Sequence, residues 1–145
     1  QSLKTLNGGR ISIAARGVGI ARAAKEAATE YATDREQFDQ PISEFQAIQH
    51  KLADMDTKVQ SAKLLMHKAA DLKIRDEEYI KAAAQAKLKA SEVSREVANE
   101  AIQVHGGYGY TKDFPVERYY RDAKLNEIYE GTSEVLRNTI AQRML

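Results

Sequence analysis

Residues 43–69, SEFQAIQHKLADMDTKVQSAKLLMHKA, contain the clearest helical pattern in the chain. Apolar side chains recur there at alternating spacings of four and three, at Ile48, Leu52, Met55, Val59, Ala62, Met66 and Ala69. This spacing places them on one face of a helix, as packing in an antiparallel bundle requires. Ser43 and Gln46 have the spacing of a capping box, which predicts that the helix begins there, just after the break at Pro41.

Helical patterns also lie on both sides of this segment. Asn7 can cap a first helix, with Gly8 and Gly9 in its first turn. The apolar stripe of that helix is Ile13, Ile20, Ala24, Ala28 and Tyr31. A third helix ends at Gly106 and carries Ala83, Ala86, Ala90, Val93, Val97, Ala101 and Val104. We expect a short helix near residues 116–123 and a last helix from about Thr132, with an apolar face of Leu136, Ile140 and Met144.

These helices define the fold class. No segment has the period-two alternation of a strand, so the sequence predicts an all-α, up-and-down four-helix bundle with a short extra helix. Residues 1–145, with 43% apolar side chains, have the size of one domain with its own core. The chain begins at Gln1 without an initiator Met, and we expect it to be a fragment of a longer protein.

Composition argues against several classes of function. The 22 basic and 21 acidic side chains leave a net charge of +1, which gives little support to a nucleic-acid partner. No apolar run approaches the ~20 residues of a membrane span. Cysteine is absent, which excludes disulfides and thiol catalysis. The three histidines, His50, His67 and His105, lack metal-ligand spacing, so we expect no metal site.

Residues 128–134, IYEGTSE, place the carboxylate of Glu130 beside a glycine where the last helix is expected to start. An acid at a helix N-terminus is ordinary, because the helix dipole favours negative charge there. A catalytic base instead needs a pKa raised by a dry pocket. The sequence therefore leaves both a helix-end role and a catalytic role open for Glu130.

Two further segments suggest a binding site. Arg35 and Phe38 precede the bend at Pro41 and Gln46 follows it, which brings together a guanidinium, an aromatic ring and an amide. Such a set can clamp a pyrophosphate and flank a planar group. The glycine-rich residues 103–110, QVHGGYGY, are by themselves a weak signal, and a simple chain turn explains them equally well.

Taken together, these segments resemble the C-terminal helical domain of the flavin-dependent acyl-CoA dehydrogenases. The resemblance runs from about Leu6 to the end of the chain. Its motifs, in family order, are residues 6–10 (LNGGR), 35–38 (REQF), 45–46 (FQ), 51–55 (KLADM), 103–110, 120–124 (YRDAK) and 128–134. The resemblance implies that the N-terminal helical and middle β domains of the longer protein are absent from this chain.

The resemblance also implies a reaction and a set of residue roles. Members of the family oxidise an acyl-CoA thioester to the trans-2-enoyl form, and the carboxylate that matches their catalytic base is Glu130. The residues implied in substrate binding are Asn7, Gly8, Gly9, Arg10, Tyr129 and Gly131. Those implied in FAD binding are Arg35, Phe38, Gln46, Gln103, Val104, His105, Gly106, Gly107, Thr132, Ser133 and Glu134.

Some branches of the family carry the base at the position of Gly9, so Glu130 and Gly9 together favour the short-chain, medium-chain or short-branched types. The implied partners are acyl-CoA, electron-transfer flavoprotein and further copies of the chain in a dimer or tetramer. The implied compartment is the cytoplasm of a bacterium or the mitochondrial matrix of a eukaryote. An acyl-CoA oxidase, another flavoenzyme of this fold, or a helical oligomerisation module without activity remain alternatives. Asp39 favours the last, because the family usually has glycine there.

Overall fold

The computed structural model describes the backbone of residues 2–145 and the side chains of residues 5–145. Within this part of the chain lie five α-helices: α1 (Ser2–Asp34), α2 (Gln46–Ile74), α3 (Ile80–His105), α4 (Val116–Asn126) and α5 (Ser133–Gln142). Short 3-10 turns cover Ile42–Glu44 and Gly106–Tyr110. The predicted all-α bundle is confirmed, and α3 lies at its centre, packed against the other four helices.

The first three helices alternate in direction. Ion pairs join Lys51 of α2 to Glu100 of α3 and Lys58 of α2 to Glu96 of α3. Later residues of α2 therefore contact earlier residues of α3, so these two helices are antiparallel. On the same helices, the predicted apolar stripes of α2 and α3 face the core, every member being buried or half-buried. None of the described helices is long and apolar enough to cross a bilayer.

Helix α1 packs on α3 through small residues. Its buried face comprises Ala14, Ala21, Ala24, Ala28 and Ala32, whereas the predicted Ile13, Ile20 and Tyr31 are only half-buried beside it. At Gly17 the helices approach so closely that an added Cβ would lie 2.9 Å from the backbone oxygen of Ala90. Small side chains therefore occupy the line of closest approach, and the larger ones flank it.

The predicted start of α1 is wrong. The helix begins at Ser2, so Asn7, Gly8 and Gly9 lie inside it and Asn7 is not its cap. The side chain of Asn7 is 4% exposed and its Oδ1 accepts a hydrogen bond from Nη1 of Arg10 at 3.1 Å. A contact within the helix thus occupies the oxygen that a cap would use.

The predicted capping box of α2 is also wrong. Ser43 lies in the 3-10 turn, and the residue that caps α2 is Phe45, whose extended backbone comes directly before Gln46. The carbonyl oxygen of Phe45 accepts from the amides of Ile48 and Gln49, both at 3.0 Å. Because Ser43 lies within the 3-10 turn that precedes α2, its side chain does not cap that helix.

A two-stranded hairpin joins α1 to the turn before α2, where the sequence predicts no strand. Its strands are β1 (Glu36–Gln37) and β2 (Gln40–Pro41), paired antiparallel. Phe38 and Asp39 form the loop with φ of 52° and 62°. Two-residue hairpin loops need this left-handed backbone, and Asn-Gly or Asp-Gly is their usual signal. Because Phe38-Asp39 lacks that signal, the sequence does not predict the hairpin.

The end of α3 and the start of α5 agree with the sequence, but the predicted apolar face of α5 is wrong at Met144, which lies beyond the last residue of α5, Gln142, and is 65% exposed. Helix α3 ends at His105, and α5 begins at Ser133 with the side chain of Thr132 as its cap, accepting from the amide of Val135 at 3.3 Å. Helix α4 continues three residues beyond the predicted Ala123, to Asn126. The segment between α4 and α5 is therefore only six residues long, and it carries Glu130.

Candidate functional site

Residues 127–133, hereafter the Glu130 turn, comprise the segment that joins α4 to α5 and the first residue of α5. Glu130 and Gly131 both have left-handed backbones, with φ of 54° and 99°. A left-handed backbone at a residue with a side chain costs on the order of 1 kcal/mol, so the surrounding contacts must hold Glu130 in place. The amide of Ser133 donates to the carbonyl oxygen of Glu127 at 3.2 Å and closes the turn.

The turn directs the Glu130 carboxylate at α1. A Cβ added to Gly9 would lie 3.0 Å from Oε2 of Glu130. Glycine at position 9 therefore leaves the space that the carboxylate occupies. The Glu130 side chain is exposed, so the described chain by itself does not supply the dry pocket that raises the pKa of a base.

Arg10 lies beneath this turn and is 6% exposed. Its Nη1 donates to Asn7, its Nε is buried without a hydrogen-bond partner, and a Cβ added to Gly131 would lie 3.6 Å from its Nη2. Burial lowers the pKa of Arg10, and the negative charge of Glu130 opposes that shift. The structure thus brings together the predicted Asn7, Gly9, Arg10 and Gly131 around Glu130.

Sequence reasoning misses Lys87, which is fully buried in α3. Its Nζ donates to the carbonyl oxygen of Gly131 at 2.5 Å. Burial lowers the pKa of Lys87 to about 8; Arg10 adds to the decrease, while Glu130 and Glu127 oppose it. The sequence signal that could have identified Lys87 is its position, because this lysine interrupts the alanine face of α3 four residues after Ala83.

The remaining predicted substrate residues, Tyr129 and Gly8, lie against side chains of α1, α2 and α4. The hydroxyl of Tyr129 donates to Oδ1 of the fully buried Asn126 at 3.2 Å and accepts from the guanidinium of Arg16. A Cβ added to Gly8 would lie 3.1 Å from Nζ of Lys73. Asn126 and Lys73 are further residues that the sequence does not single out.

A second group of predicted residues surrounds a cleft at the other end of α1. This Arg35 cleft has a volume of about 530 Å³, and its lining includes Arg35, Val104, His105, Gly106 and Gly107. The ring of His105 stacks on Tyr31 at 4.2 Å between centroids, and the guanidinium of Arg35 lies 5.6 Å from the ring of Tyr108. Burial lowers the pKa of His105, although its contact with the Ala101 carbonyl opposes the shift.

Three predicted cofactor residues lie outside the lining of this cleft. Phe38 is at the hairpin tip, 86% exposed, with its ring edge-on to Phe45 at 6.1 Å. Gln46 begins α2 and Gln103 lies near the end of α3, and both are exposed. These side chains are accessible to a ligand that extends beyond the cleft.

The other predicted cofactor residues are Thr132, Ser133 and Glu134, which lie beside Glu130 rather than beside Arg35. Ser133 is 7% exposed and its Oγ has no hydrogen-bond partner, whereas Glu134 is exposed. At 1.5 Å per residue, the stretch of α1 from position 10 to position 34 is about 36 Å long. The predicted cofactor residues therefore form two widely separated groups.

No cluster of three or more His, Cys, Asp or Glu side chains with metal-binding geometry occurs among the described residues. The chemistry offered by the site is that of one carboxylate beside two buried cations, Arg10 and Lys87. The exposed carboxylate of Glu130 can accept a proton from a bound molecule.

Comparison with known proteins places these features in a family. The model of the acyl-CoA dehydrogenase C-terminal domain matches residues 1–145. The chain is 57% identical over 145 residues to the probable acyl-CoA dehydrogenase YngJ of Bacillus subtilis, covering all of this chain and 38% of that protein. It is 49% identical over 143 residues to the short-chain specific acyl-CoA dehydrogenase of Clostridium acetobutylicum, covering 99% of this chain and 38% of the relative.

A solved structure has the same fold. A chain in a structure of the electron transferring flavoprotein of Acidaminococcus fermentans superposes with a TM-score of 0.98 at 49% identity. The match covers 99% of this chain and 38% of that one, so the chain spans well under half the length of the proteins that it matches. The chain belongs to the acyl-CoA dehydrogenase family and matches the C-terminal domain of its members.

Proposed function

We propose that this chain is the C-terminal part of a longer FAD-dependent dehydrogenase, hereafter the parent protein, that converts a short acyl-CoA to the trans-2-enoyl-CoA. In this proposal the carboxylate of Glu130 removes the α proton of the thioester. The observation that carries the proposal is the position of Glu130, whose exposed carboxylate lies directly against Gly9 and close to buried Arg10.

Residues around Glu130 have defined roles in this reaction. Charge develops on the thioester oxygen as the α proton leaves, so backbone amides near that oxygen stabilise the transition state. We assign the amide of Glu130 to this task, and Tyr129 and Gly131 to the lining of the acyl thioester. Asn7, Gly8, Gly9 and Arg10 lie nearest the CoA side. The missing walls of the site, which would exclude water from Glu130, belong to the rest of the parent protein.

The residues of the Arg35 cleft fit a flavin dinucleotide. Arg35 supplies a cation for a pyrophosphate, His105 and Tyr108 supply rings, and a Cβ added to Gly106 or Gly107 would meet no atom within 4 Å. When bound, FAD would accept the β hydrogen of the substrate as hydride. Val104, Gln103, Phe38 and Gln46 would complete the binding surface on this side.

The distance between the two groups of predicted cofactor residues indicates that a second copy of the chain completes the flavin site. Thr132, Ser133 and Glu134 lie near Glu130, and the Arg35 cleft lies at the opposite end of α1. One flavin cannot contact both groups of the same chain. We therefore infer a dimer or tetramer in which Arg35 of one copy and Glu130 of another serve the same flavin.

The substrate and partner classes rest on the relatives. A short acyl chain is supported by the C. acetobutylicum relative, which is described as short-chain specific. Electron-transfer flavoprotein as the acceptor is supported by the A. fermentans structure, whose subject is such a protein. Reduced parent protein that passes electrons to this acceptor and reacts slowly with oxygen supports a dehydrogenase; fast reaction with oxygen would indicate an oxidase.

The decisive experiment replaces Glu130 by Gln in the parent protein. Loss of a general base lowers the rate by about 10²–10⁴-fold, so we expect kcat for a short acyl-CoA to fall in that range. The exchange of the substrate α proton in D2O should fall equally. The matched control is Glu26→Gln on the exposed side of α1, which should leave both rates unchanged. Near-normal α-proton exchange in Glu130→Gln excludes the assignment.

A parent protein purified without flavin, and unable to bind added FAD, would instead favour the oligomerisation module. Asp39, in the exposed hairpin tip, is the residue to test in that case, because it brings a negative charge near Phe38. Restored FAD binding in Asp39→Gly would identify the charge as the cause.

A further inference from the structure

Lys87 has no role in the function proposed so far, although it contacts the Glu130 turn from inside the core. It is fully buried in α3, and its Nζ lies 2.5 Å from the carbonyl oxygen of Gly131. Lysine is almost never fully buried unless its charge is compensated. A buried cation with one contact to a strained turn therefore requires a functional or structural reason.

The backbone around Lys87 ties α3 to the same turn. The hydroxyl of Ser91 donates to the carbonyl oxygen of Lys87 at 2.7 Å and approaches that of Asn126 at 2.9 Å. Arg95, one turn further along α3, donates to the carboxylate of Glu127 at 2.6 Å. Helix α3 therefore fixes the start of the Glu130 turn through Ser91 and Arg95, and its far side through Lys87.

Three charged groups face Lys87 from the elements packed against it. Arg10 on α1 is a second buried cation, and Glu130 and Glu127 contribute negative charge from the turn. Glu127 is already paired with Arg95 at 2.6 Å and with Lys124 at 2.8 Å. Glu130 is thus the acid of this set whose charge is left to balance the two buried cations.

We propose that Lys87 is a positioning residue for the proposed reaction: its ammonium group holds the carbonyl of Gly131, and so keeps the Glu130 carboxylate above Gly9. The inference rests on the proposed function of Glu130. A left-handed backbone at a residue with a side chain persists only where its surroundings over-determine it, and Glu130 has such a backbone, with φ of 54°. A charged donor is about twice as strong as a neutral one, which suits an amine for this task.

The contact between Lys87 and Gly131 depends on pH. Burial lowers the pKa of Lys87, and the negative charges of Glu130 and Glu127 oppose that shift. The pKa of Lys87 is about 8, so its ammonium charge, and with it the charge-assisted hydrogen bond to Gly131, is lost as the pH rises through that value. A purely structural lysine would change activity by the same factor at every pH.

The test compares three variants of the parent holoenzyme. Lys87→Met removes the donor and the charge, and Lys87→Gln keeps a donor but removes the charge. Lys89→Met makes the same chemical change two residues along α3, on a different side of the helix. We expect kcat to fall about tenfold or more in Lys87→Met because the base is misplaced, less in Lys87→Gln, and not in Lys89→Met.

The pH profile of kcat/KM separates positioning from folding. Activity should decline as the pH rises through about 8 in the wild type and in Lys89→Met, because Lys87 loses its charge there, and this decline should be absent in both Lys87 variants. If Lys87→Met loses its flavin, Lys87→Gln decides the question alone. The same decline above pH 8 in Lys87→Gln overturns the proposal.

Amide hydrogen exchange of residues 127–133 gives a readout that needs no substrate. Exchange should accelerate in Lys87→Met and not in Lys89→Met, because the contact to Gly131 is lost only in the first. Unchanged exchange overturns the positioning role. Faster exchange combined with normal α-proton abstraction by Glu130→Gln would instead show that Lys87 holds the turn while the proposed function fails.

Discussion

At the scale of single residues, we expect the replacement of Gly9 by alanine to increase stability and to decrease activity. It lies inside α1, where alanine is more favourable than glycine by about 0.5–1 kcal/mol. A Cβ there would lie 3.0 Å from Oε2 of Glu130, and a flexible carboxylate moves away readily. Gly9→Ala should therefore raise the thermal midpoint of the parent protein by a few degrees and lower kcat/KM by about tenfold or more.

Gly19→Ala is the matched control for this prediction. Gly19 is on the same helix, and a Cβ added there would meet no atom within 4 Å. It should give the same stabilisation with unchanged kcat/KM. Equal kinetics for the two variants would show that the carboxylate does not work from its position above Gly9.

At the scale of elements, the contact of α1 with α3 depends on the absence of a side chain at Gly17. A Cβ added there would lie 2.9 Å from the backbone oxygen of Ala90, which cannot rotate away. Overpacking of this kind costs about 1–3 kcal/mol, more than the helix gains from alanine. Gly17→Ala should lower the free energy of unfolding measured by urea denaturation, whereas Gly19→Ala should raise it. Stabilisation by both changes would contradict the close approach of α1 and α3.

At the scale of the whole molecule, the separation of Arg35 from Glu130 predicts complementation between subunits. The Glu130→Gln protein keeps Arg35, and an Arg35→Ala protein keeps Glu130, so each alone should be nearly inactive. In a mixed two-fold dimer one site combines both intact residues and the other combines both defects. Random reassembly of equal amounts should therefore restore about a quarter of the wild-type activity per subunit.

Activity of the reassembled mixture and of each protein treated alone in the same way provides the measurement and its control. Size-exclusion chromatography establishes that mixed oligomers form. If mixed oligomers form and activity is not restored, Arg35 and Glu130 of different copies do not serve the same site.

The helical elements were accessible to sequence reasoning because their signals are local. The alternating spacing in α2 and the alanine and valine stripe of α3 place apolar side chains on one face whatever the neighbours are. The local start signals were less reliable. The capping box predicted at Ser43 is wrong because that residue lies in the 3-10 turn before α2. The hairpin is not predicted because Phe38 and Asp39 adopt left-handed backbones although neither residue is a glycine.

By itself, the sequence determined an all-α bundle, the end of α3, the start of α5, and the motifs of the acyl-CoA dehydrogenase family. Tertiary structure alone decided that Arg10 lies beneath Glu130, that Lys87 is buried against Gly131, and that the Arg35 cleft lies far from both. The physical reason is that periodicity follows from the backbone geometry of neighbouring residues. The burial of one cation depends instead on many weak contacts between helices that are distant in the chain.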